Sequence, residues 1–177
     1  MHEDIEKVLI DEDIIQRRLG ELAEKVTVAY EGKSIVVVAL LKGAILFMAD
    51  LLRRVPLTME IECLNVASYH GGMESSGEVS FLDQKLPDVE GRSVLLLDDI
   101  LDTGQTLDAV MRKLNELGAA EIKTCVLLTK DIERDLSLEA DFSGFTIGDE
   151  FVVGYGLDYQ GKYRNLPYVG ILKESAI

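Results

Sequence analysis

Short apolar runs alternate with amphipathic stretches along most of the chain. The runs are rich in Val, Ile and Leu without regular polar alternation, which is typical of strands covered on both faces in a parallel sheet. The pattern predicts strands at Ser34 to Leu41, Met59 to Val66, Ser93 to Asp99 and Glu121 to Thr129. Helical spacing of apolar residues predicts helices at about Ile14 to Tyr30, Gly43 to Arg54 and Gln105 to Gly118. Strands that alternate with helices indicate an α/β fold with a mainly parallel central sheet flanked by helices.

Two regions depart from this alternation. Near the C-terminus, the segments FVVGYGLDY and YVGILK predict one or two further short strands. Between the second and third predicted strands, SYHGGMESSG (Ser68 to Gly77) has three glycines and three serines and fits no regular element. A loop of this size in a compact domain favours a functional lid, with a plain connecting loop as the alternative.

Composition limits the partners of this fold. The 177 residues, 47% of them apolar, suit a single domain spanning 1–177 with its own core. With 18 Lys plus Arg against 32 Asp plus Glu, the formal charge is −14. Nucleic-acid and membrane-surface binders need a positive face, so we expect no nucleic-acid partner and no membrane partner. A local basic pocket is still compatible with this charge.

The cysteines and the N-terminal segment bear on location. Cys63 and Cys125 lie far apart inside apolar runs, without a C-x-x-C pair, and are predicted to be buried thiols; a disulfide or a metal site is the alternative. The segment MHEDIEKVLIDED is acidic and does not resemble a signal peptide. We therefore expect a soluble, cytoplasmic protein.

The segment SVLLLDDILDTGQTL (Ser93 to Leu107) carries the candidate chemistry. A wholly apolar strand ends in Asp98 and Asp99, a short turn brings Asp102, and Thr103 to Thr106 open a helix. The carboxyl ends of parallel strands are where α/β proteins bind ligands, and a helix N-terminus attracts phosphate. Asp98 and Asp99 suit ribose hydroxyls or hydrated Mg²⁺, and Asp102 is a candidate base. The alternative is that these acids only cap the helix, although one Asp would be enough for a cap.

Two other motif matches fail. Gly32, Lys33 and Ser34 look like the end of a P-loop, but position 27, which needs Gly, is Thr27. The D-T-G at 102–104 matches the aspartic-protease signature, but that chemistry needs two such carboxylates, and the stretch that follows is helical by its period.

Two acids, two apolar residues and D-T-G-x-T follow one another at 98–106. This motif resembles the signature of the phosphoribosyltransferases that use phosphoribosyl pyrophosphate, and within them the 6-oxopurine (hypoxanthine-guanine) branch. The resemblance implies a type I phosphoribosyltransferase fold with a lid at about 68–80. It also implies a small hood formed by about 145–177 and possibly the N-terminus. By the same resemblance, Leu41, Lys42 and Gly43 form the pyrophosphate loop with a cis peptide bond from Lys42 to Gly43. Ser68 and Tyr69 of the lid close over the pyrophosphate.

The resemblance assigns further site residues. Residues that bind phosphoribosyl pyrophosphate would be Leu41, Lys42, Gly43, Ser68, Tyr69, Asp98, Asp99, Asp102, Thr103, Gly104, Gln105, Thr106 and Arg164. Purine-binding residues would be Ile100, Lys130, Phe151, Val152 and Asp158. Asp98, Asp99 and Asp158 would ligate Mg²⁺. Without the resemblance, Lys130 and Arg164 read as solvated surface residues and Phe151 as a core residue, whereas Asp158 between aromatic residues is evenly balanced between ligand and core.

The implied reaction transfers the phosphoribosyl group to hypoxanthine or guanine, with Asp102 as the base. Xanthine, adenine or a pyrimidine as acceptor is the alternative, followed by a nucleotide-sensing regulator that binds RNA or DNA. The resemblance also implies a homodimer or homotetramer. Two departures from the pattern stand out: Gln105 occupies a position where a basic residue is common, and the lid continues as Glu78, Val79 and Ser80. Neither removes a catalytic group.

Overall fold

The computed structural model describes residues 1–68, 79–82, 86–134 and 136–177, and for 67, 68, 79 and 80 the backbone alone. The strands are β1 (Ile5–Ile10), β2 (Ile35–Leu41), β3 (Met59–Ser68), β4 (Val79–Phe81), β5 (Ser93–Leu101), β6 (Glu121–Lys130), β7 (Phe142–Ile147), β8 (Val152–Val153) and β9 (Val169–Leu172). The helices are α1 (Glu12–Ala29), α2 (Ile45–Leu52) and α3 (Gln105–Glu116), with a 3₁₀ turn at Glu174–Ala176. Among the described residues, no helix is both long and apolar enough to cross a bilayer.

The central sheet has the order β4-β3-β2-β5-β6-β7. Its four pairings among β3, β2, β5, β6 and β7 are parallel, and only β4 runs antiparallel, against β3. Successive residues of a strand face opposite sides, so the apolar run of β2 supplies two cores at once. Ile35, Val37 and Ala39 pack in the cluster that includes α1 and α2, while Val36, Val38 and Leu40 pack in the cluster of α3. The α/β prediction is thereby confirmed.

A second, three-stranded antiparallel sheet, β1-β9-β8, forms the hood. The N-terminal strand pairs with β9, so both ends of the described chain contribute to it. A small apolar cluster of Ile5, Val153, Leu166 and Leu172 holds this sheet together. Tyr155 then ties the hood segment to the main domain, because its hydroxyl donates to Asp50 Oδ2 at 2.6 Å on α2.

Predicted and observed elements differ mainly at the sheet edges. The four predicted central strands and three helices are present, although α2 begins at Ile45, two residues later than predicted. β1, β4 and β7 were not predicted: they are short, and β4 and β7 lie at the edges, where one strand neighbour is missing and the apolar signal is weaker.

The prediction that both cysteines are buried is wrong for Cys63. Cys125 is fully buried, but Cys63 is exposed, as is Ile61, which has 52% of its surface accessible. Both lie on the face of β3 that pairs in register with Val37 and Ala39. On that side of the sheet, α2 packs on β2 and α1 packs on β7, so the outer strand β3 receives less cover.

Candidate functional site

The carboxyl ends of β2 and β5 and the hood enclose a cavity of about 270 Å³. It gathers most of the residues predicted to bind the phosphoribosyl substrate: Leu41, Lys42, Gly43, Asp98, Asp99, Asp102, Thr103, Gly104, Thr106 and Arg164. A neighbouring cavity of about 500 Å³ is lined by the residues predicted to bind a purine, Ile100, Lys130, Phe151, Val152 and Asp158. Both cavities share Asp99, Ile100, Asp102 and Asp158. The segment after β5 therefore lies between two compartments.

The first turn of α3 forms one wall of the first cavity. Gly104 has φ of 84°, a left-handed conformation that favours glycine, and it starts α3 immediately after the strand-end turn. The amides of a first helical turn have no partner within the helix, and with the helix dipole they favour an anion. The side chains of Thr103 and Thr106 add hydroxyl groups beside them. Gln105, by contrast, has an exposed side chain and does not line the cavity.

Asp98 and Asp99 form an acidic pair at the end of β5, in which Asp98 is buried and Asp99 is half-buried. Burial raises the pKa of both carboxyls, and the charge of Asp99 raises that of Asp98 further. The Asp99 amide donates to Asp98 Oδ1 at 2.9 Å. Two adjacent carboxylates fit Mg²⁺, which is commonly held by one or two carboxylates and completed by water and substrate phosphates. A cluster of three or more His, Cys, Asp or Glu side chains suited to a metal is not found among the described residues.

Glycine is required where three backbone segments meet. A Cβ on Gly43 would lie 1.8 Å from Asp99 Oδ2, and a Cβ on Gly156 would lie 2.0 Å from the Gly43 carbonyl oxygen. The loop at 41–43, the acidic pair and the hood thus pack with no room for a side chain between them. Gly156 also has φ of 104°.

The prediction of a cis peptide bond from Lys42 to Gly43 is wrong by one position. The cis bond joins Leu41 to Lys42. Leu41 is the last residue of β2, so the bond lies at the point where the strand leaves the sheet, and Gly43 instead provides the space for Asp99. The cis bond was therefore predicted one residue too late, and the role of this loop in binding pyrophosphate stays a prediction.

Lys130 links the candidate base to the second cavity. Its Nζ lies 3.4 Å from Asp102 Oδ2 and 3.2 Å from Asp149 Oδ1, and its side chain is only 12% exposed. The reading of Lys130 as a solvated lysine is therefore wrong. Asp102 is 45% exposed at its side chain, accessible to a ligand from either cavity.

Phe151 presents an open ring to the same cavity. It is 50% exposed and is supported edge-on by Tyr159, with ring centroids 5.8 Å apart. The alternative interpretation of Phe151 as a core residue is therefore wrong. Val152 is buried, which leaves its backbone as the part that a ligand would meet.

Arg164 and Asp158 are held against each other in the hood. Arg164 Nη2 lies 2.6 Å from Asp158 Oδ1, and Arg164 Nη1 donates to the Gly156 carbonyl at 2.6 Å. The second carboxylate oxygen of Asp158 accepts from the Gly161 amide at 2.6 Å. Arg164 is thus placed at the first cavity with one ion pair, while the metal-ligand role of Asp158 stays a prediction.

Two predicted residues lie at the limit of what the structure describes. Ser68 is the last residue of β3, and Tyr69 lies outside the described residues. The predicted lid at 68–80 is likewise outside them, except for its ends in β3 and β4.

Several residues at the site were not predicted from the sequence, and two of them make polar contacts to predicted site residues. Asp149 pairs with Lys130, and Arg134 donates to the backbone of the Asp102 turn. Both stand in polar stretches with no motif of their own, so only the fold could reveal them.

The chain is similar in sequence to a known protein family and to named relatives. Residues 8–160 match the phosphoribosyl transferase domain. The chain is 45% identical over 98% of its length to a hypoxanthine-guanine phosphoribosyltransferase of Streptococcus pneumoniae, of which it covers 97%. It is 47% identical to the bifunctional protein TilS/HprT of Listeria innocua, but spans only 27% of that longer relative.

A crystal structure of a hypoxanthine phosphoribosyltransferase from Staphylococcus aureus superposes with a TM-score of 0.93 at 43% identity, covering 99% of this chain and 96% of that one. The matched region includes β2, β5, α3 and β6, and with them the acidic pair and the first turn of α3. This chain belongs to the phosphoribosyl transferase family.

Proposed function

We propose that the protein is a purine salvage enzyme that transfers the 5-phosphoribosyl group from phosphoribosyl pyrophosphate to hypoxanthine or guanine, giving IMP or GMP and pyrophosphate. The observation that carries this proposal is the pair of adjoining cavities that share Asp99, Ile100, Asp102 and Asp158. One compartment offers backbone amides and acids for a sugar phosphate, and the other offers a lysine and an open aromatic ring for a base. The relatives bearing this activity in their names support the same reading.

The first compartment is suited to the phosphoribosyl substrate. The amides and hydroxyls at 103–106 would hold the 5-phosphate, and the loop at 41–43 with Arg164 would hold the pyrophosphate. Bound Mg²⁺, held by Asp98 and Asp99, would stabilise the charge that gathers on the leaving pyrophosphate. Arg164 would act on the same charge, since its guanidinium is already fixed by Asp158.

The second compartment is suited to a 6-oxopurine. Lys130 is a donor and would meet a 6-oxo group, whereas the 6-amino group of adenine would face it with further donors. Phe151 would stack on the ring, with Ile100 on the opposite side. Asp102, within reach of both compartments, would accept the proton from purine N7 as the ribosyl bond forms.

A spectrophotometric panel of free bases with phosphoribosyl pyrophosphate tests the activity. We expect turnover of hypoxanthine and guanine, none of adenine or uracil, and loss of all turnover when Mg²⁺ is removed with a chelator. Turnover of adenine in preference to hypoxanthine would contradict the role given to Lys130. Xanthine, which also carries a 6-oxo group, measures how far the pocket discriminates at the 2-position.

A homodimer or homotetramer and a cytoplasmic location belong to the same proposal. Ile45, Ile61 and Leu82 are exposed by 43, 52 and 63%, and large exposed apolar side chains favour burial against another chain. Light scattering after gel filtration tests the assembly, and a monomer at micromolar concentration would contradict it.

The two cysteines form no disulfide with each other, which suits a reducing compartment.

A further inference from the structure

Arg134 connects three backbone carbonyls next to the site. Its Nε donates to the Asp102 carbonyl at 2.6 Å. Its Nη2 donates to the Leu101 carbonyl at 3.3 Å and to the Lys130 carbonyl. The side chain is half-buried, in the stretch that follows β6. All three acceptors are main-chain oxygens, so the guanidinium acts on backbone position and leaves the side chains of Asp102 and Lys130 available to a ligand.

The contact lies where the ladder between two strands ends. β5 and β6 pair in parallel up to Leu101 with Thr129, which is the last register pair between them. Asp102 and Lys130 are the next residue of each strand path. Arg134 therefore joins the two segments at the point where regular strand pairing stops.

We propose that Arg134 is a positioning residue that fixes Asp102 and Lys130 relative to each other, an inference that rests on the proposed function. Asp102 Oδ2 and Lys130 Nζ, on the two side chains that it positions, lie 3.4 Å apart. One is the proposed base at N7 and the other the proposed donor to the 6-oxo group, which are neighbouring positions on one purine edge. Their spacing must therefore match a single rigid ring.

Only arginine suits this position chemically. A guanidinium is planar, always charged and carries five N–H donors in a fixed fork, so it can satisfy several carbonyls at once. Lysine would keep the charge but offers a single mobile point of contact. Glutamine has two donors on one nitrogen and no charge. Comparison of the two substitutions therefore separates charge from geometry.

Arg134 does not contact the main groups proposed to hold the phosphates. The amides belong to the first turn of α3, and Arg164 is held by Asp158 and Gly156. Loss of the Arg134 contacts should therefore weaken use of the purine far more than binding of phosphoribosyl pyrophosphate. A general structural role would instead reduce both together with thermal stability.

The test is steady-state kinetics of Arg134→Gln and Arg134→Lys with each substrate varied in turn. Misplacement of a reacting group by about 1 Å costs on the order of 100-fold. We expect Arg134→Gln to lower kcat/KM for hypoxanthine by about 100-fold and Arg134→Lys by about 10-fold, with the KM for phosphoribosyl pyrophosphate within about threefold of the parent. Arg92→Gln is the matched control, because Arg92 pairs with Glu60 beside the opposite end of β5.

A double variant, Arg134→Gln with Lys130→Gln, sharpens the result. If Arg134 acts through Lys130, the combined loss is smaller than the product of the two single losses. Equal losses for both substrates, or Arg134→Gln kinetics equal to those of Arg92→Gln, would overturn the proposal. If Arg134→Gln does not fold, as judged by thermal unfolding, Arg134→Lys carries the same comparison. A parent protein that converts no purine would overturn the proposed function, and this inference with it.

Discussion

The two compartments of the site are built in different ways. The phosphate compartment is formed largely by backbone: a strand-end turn, the first turn of α3, and glycines at 43, 104 and 156. The purine compartment is formed by side chains from separate segments, chiefly Lys130 and Phe151, with Asp149 and Tyr159 supporting them. Cβ atoms added at these glycines should therefore damage the first compartment, whereas changes of Lys130 or Phe151 should damage the second.

Asp102→Ala should break catalysis while leaving the phosphate compartment intact. General base catalysis typically contributes 10²- to 10⁴-fold in rate, and we expect kcat to fall by about this factor. The carboxylate does not form the amide turn, so affinity for phosphoribosyl pyrophosphate should stay within about threefold, a shift below 1 kcal/mol. Unchanged turnover would rule out Asp102 as the base.

Gly43→Ala should break the backbone compartment. The new Cβ would fall 1.8 Å from Asp99 Oδ2, so the loop or the acid must move. We expect at least about a 100-fold loss in kcat/KM for phosphoribosyl pyrophosphate, the size of effect given by a displaced reacting group. Gly20→Ala, where a Cβ meets nothing within 4 Å, is the control and should retain full activity.

Lys130→Gln should affect the purine compartment alone. Hydrogen bonds to charged groups contribute about 1.5 to 3 kcal/mol, so kcat/KM for hypoxanthine should fall by roughly 10- to 150-fold. The KM for phosphoribosyl pyrophosphate should be unaffected, since Lys130 does not line the first cavity. An equal rise in both KM values would show that the compartments are not separable.

Tyr155→Phe should weaken the link between hood and core in a pH-dependent way. Burial alone would raise the pKa of Asp50, but hydrogen bonds from Tyr155 and Gln16 and the charges of Arg53 and Arg54 outweigh it and hold the pKa below its ordinary 3.8. Stability from this carboxylate is therefore complete above pH 3.8 and is lost as pH falls through the lower folded-state pKa.

Thermal or denaturant unfolding of Tyr155→Phe should show a loss of about 1.5 kcal/mol near pH 7. The difference from the parent should shrink in acid, because the Tyr155 hydroxyl then no longer meets a charged acceptor. A difference that is constant from pH 7 to below 3 would show that this hydrogen bond is not the source of the lowered Asp50 pKa.

Gln105→Ala should have the smallest effect. The Gln105 side chain is exposed, and the proposed phosphate contacts at this position come from the backbone. We expect kcat/KM for phosphoribosyl pyrophosphate to change by less than about threefold, under 1 kcal/mol. A tenfold loss would mean that this side chain reaches the substrate after all.

The same contrast explains what the sequence could predict. The acidic pair, Asp102 and the phosphate turn lie within nine consecutive residues, 98–106, so one strand-to-helix motif places them together. The central strands were predictable because burial on both faces gives continuous apolar runs. The short strands β1, β4 and β7 have no such signal.

Other features depend on distant packing and were not readable from the chain. Exposure of Cys63 follows from which strands α1 and α2 cover, and the three carbonyl contacts of Arg134 exist only once β5 and β6 lie side by side. The purine residues were predicted only through a resemblance, because Lys130, Phe151 and Asp158 are separated in sequence and each has an ordinary alternative role. Lys130→Gln tests the role proposed for one of them directly.

The two compartments should bind their ligands independently, although they share the turn after β5. Calorimetric titration of phosphoribosyl pyrophosphate with Mg²⁺ into the parent, Asp102→Ala and Gly43→Ala tests this independence, because it measures binding in one compartment without turnover. We expect the same Kd, within about threefold, for the parent and Asp102→Ala, and a Kd at least about tenfold weaker for Gly43→Ala. Loss of binding in Asp102→Ala, or full binding in Gly43→Ala, would contradict it.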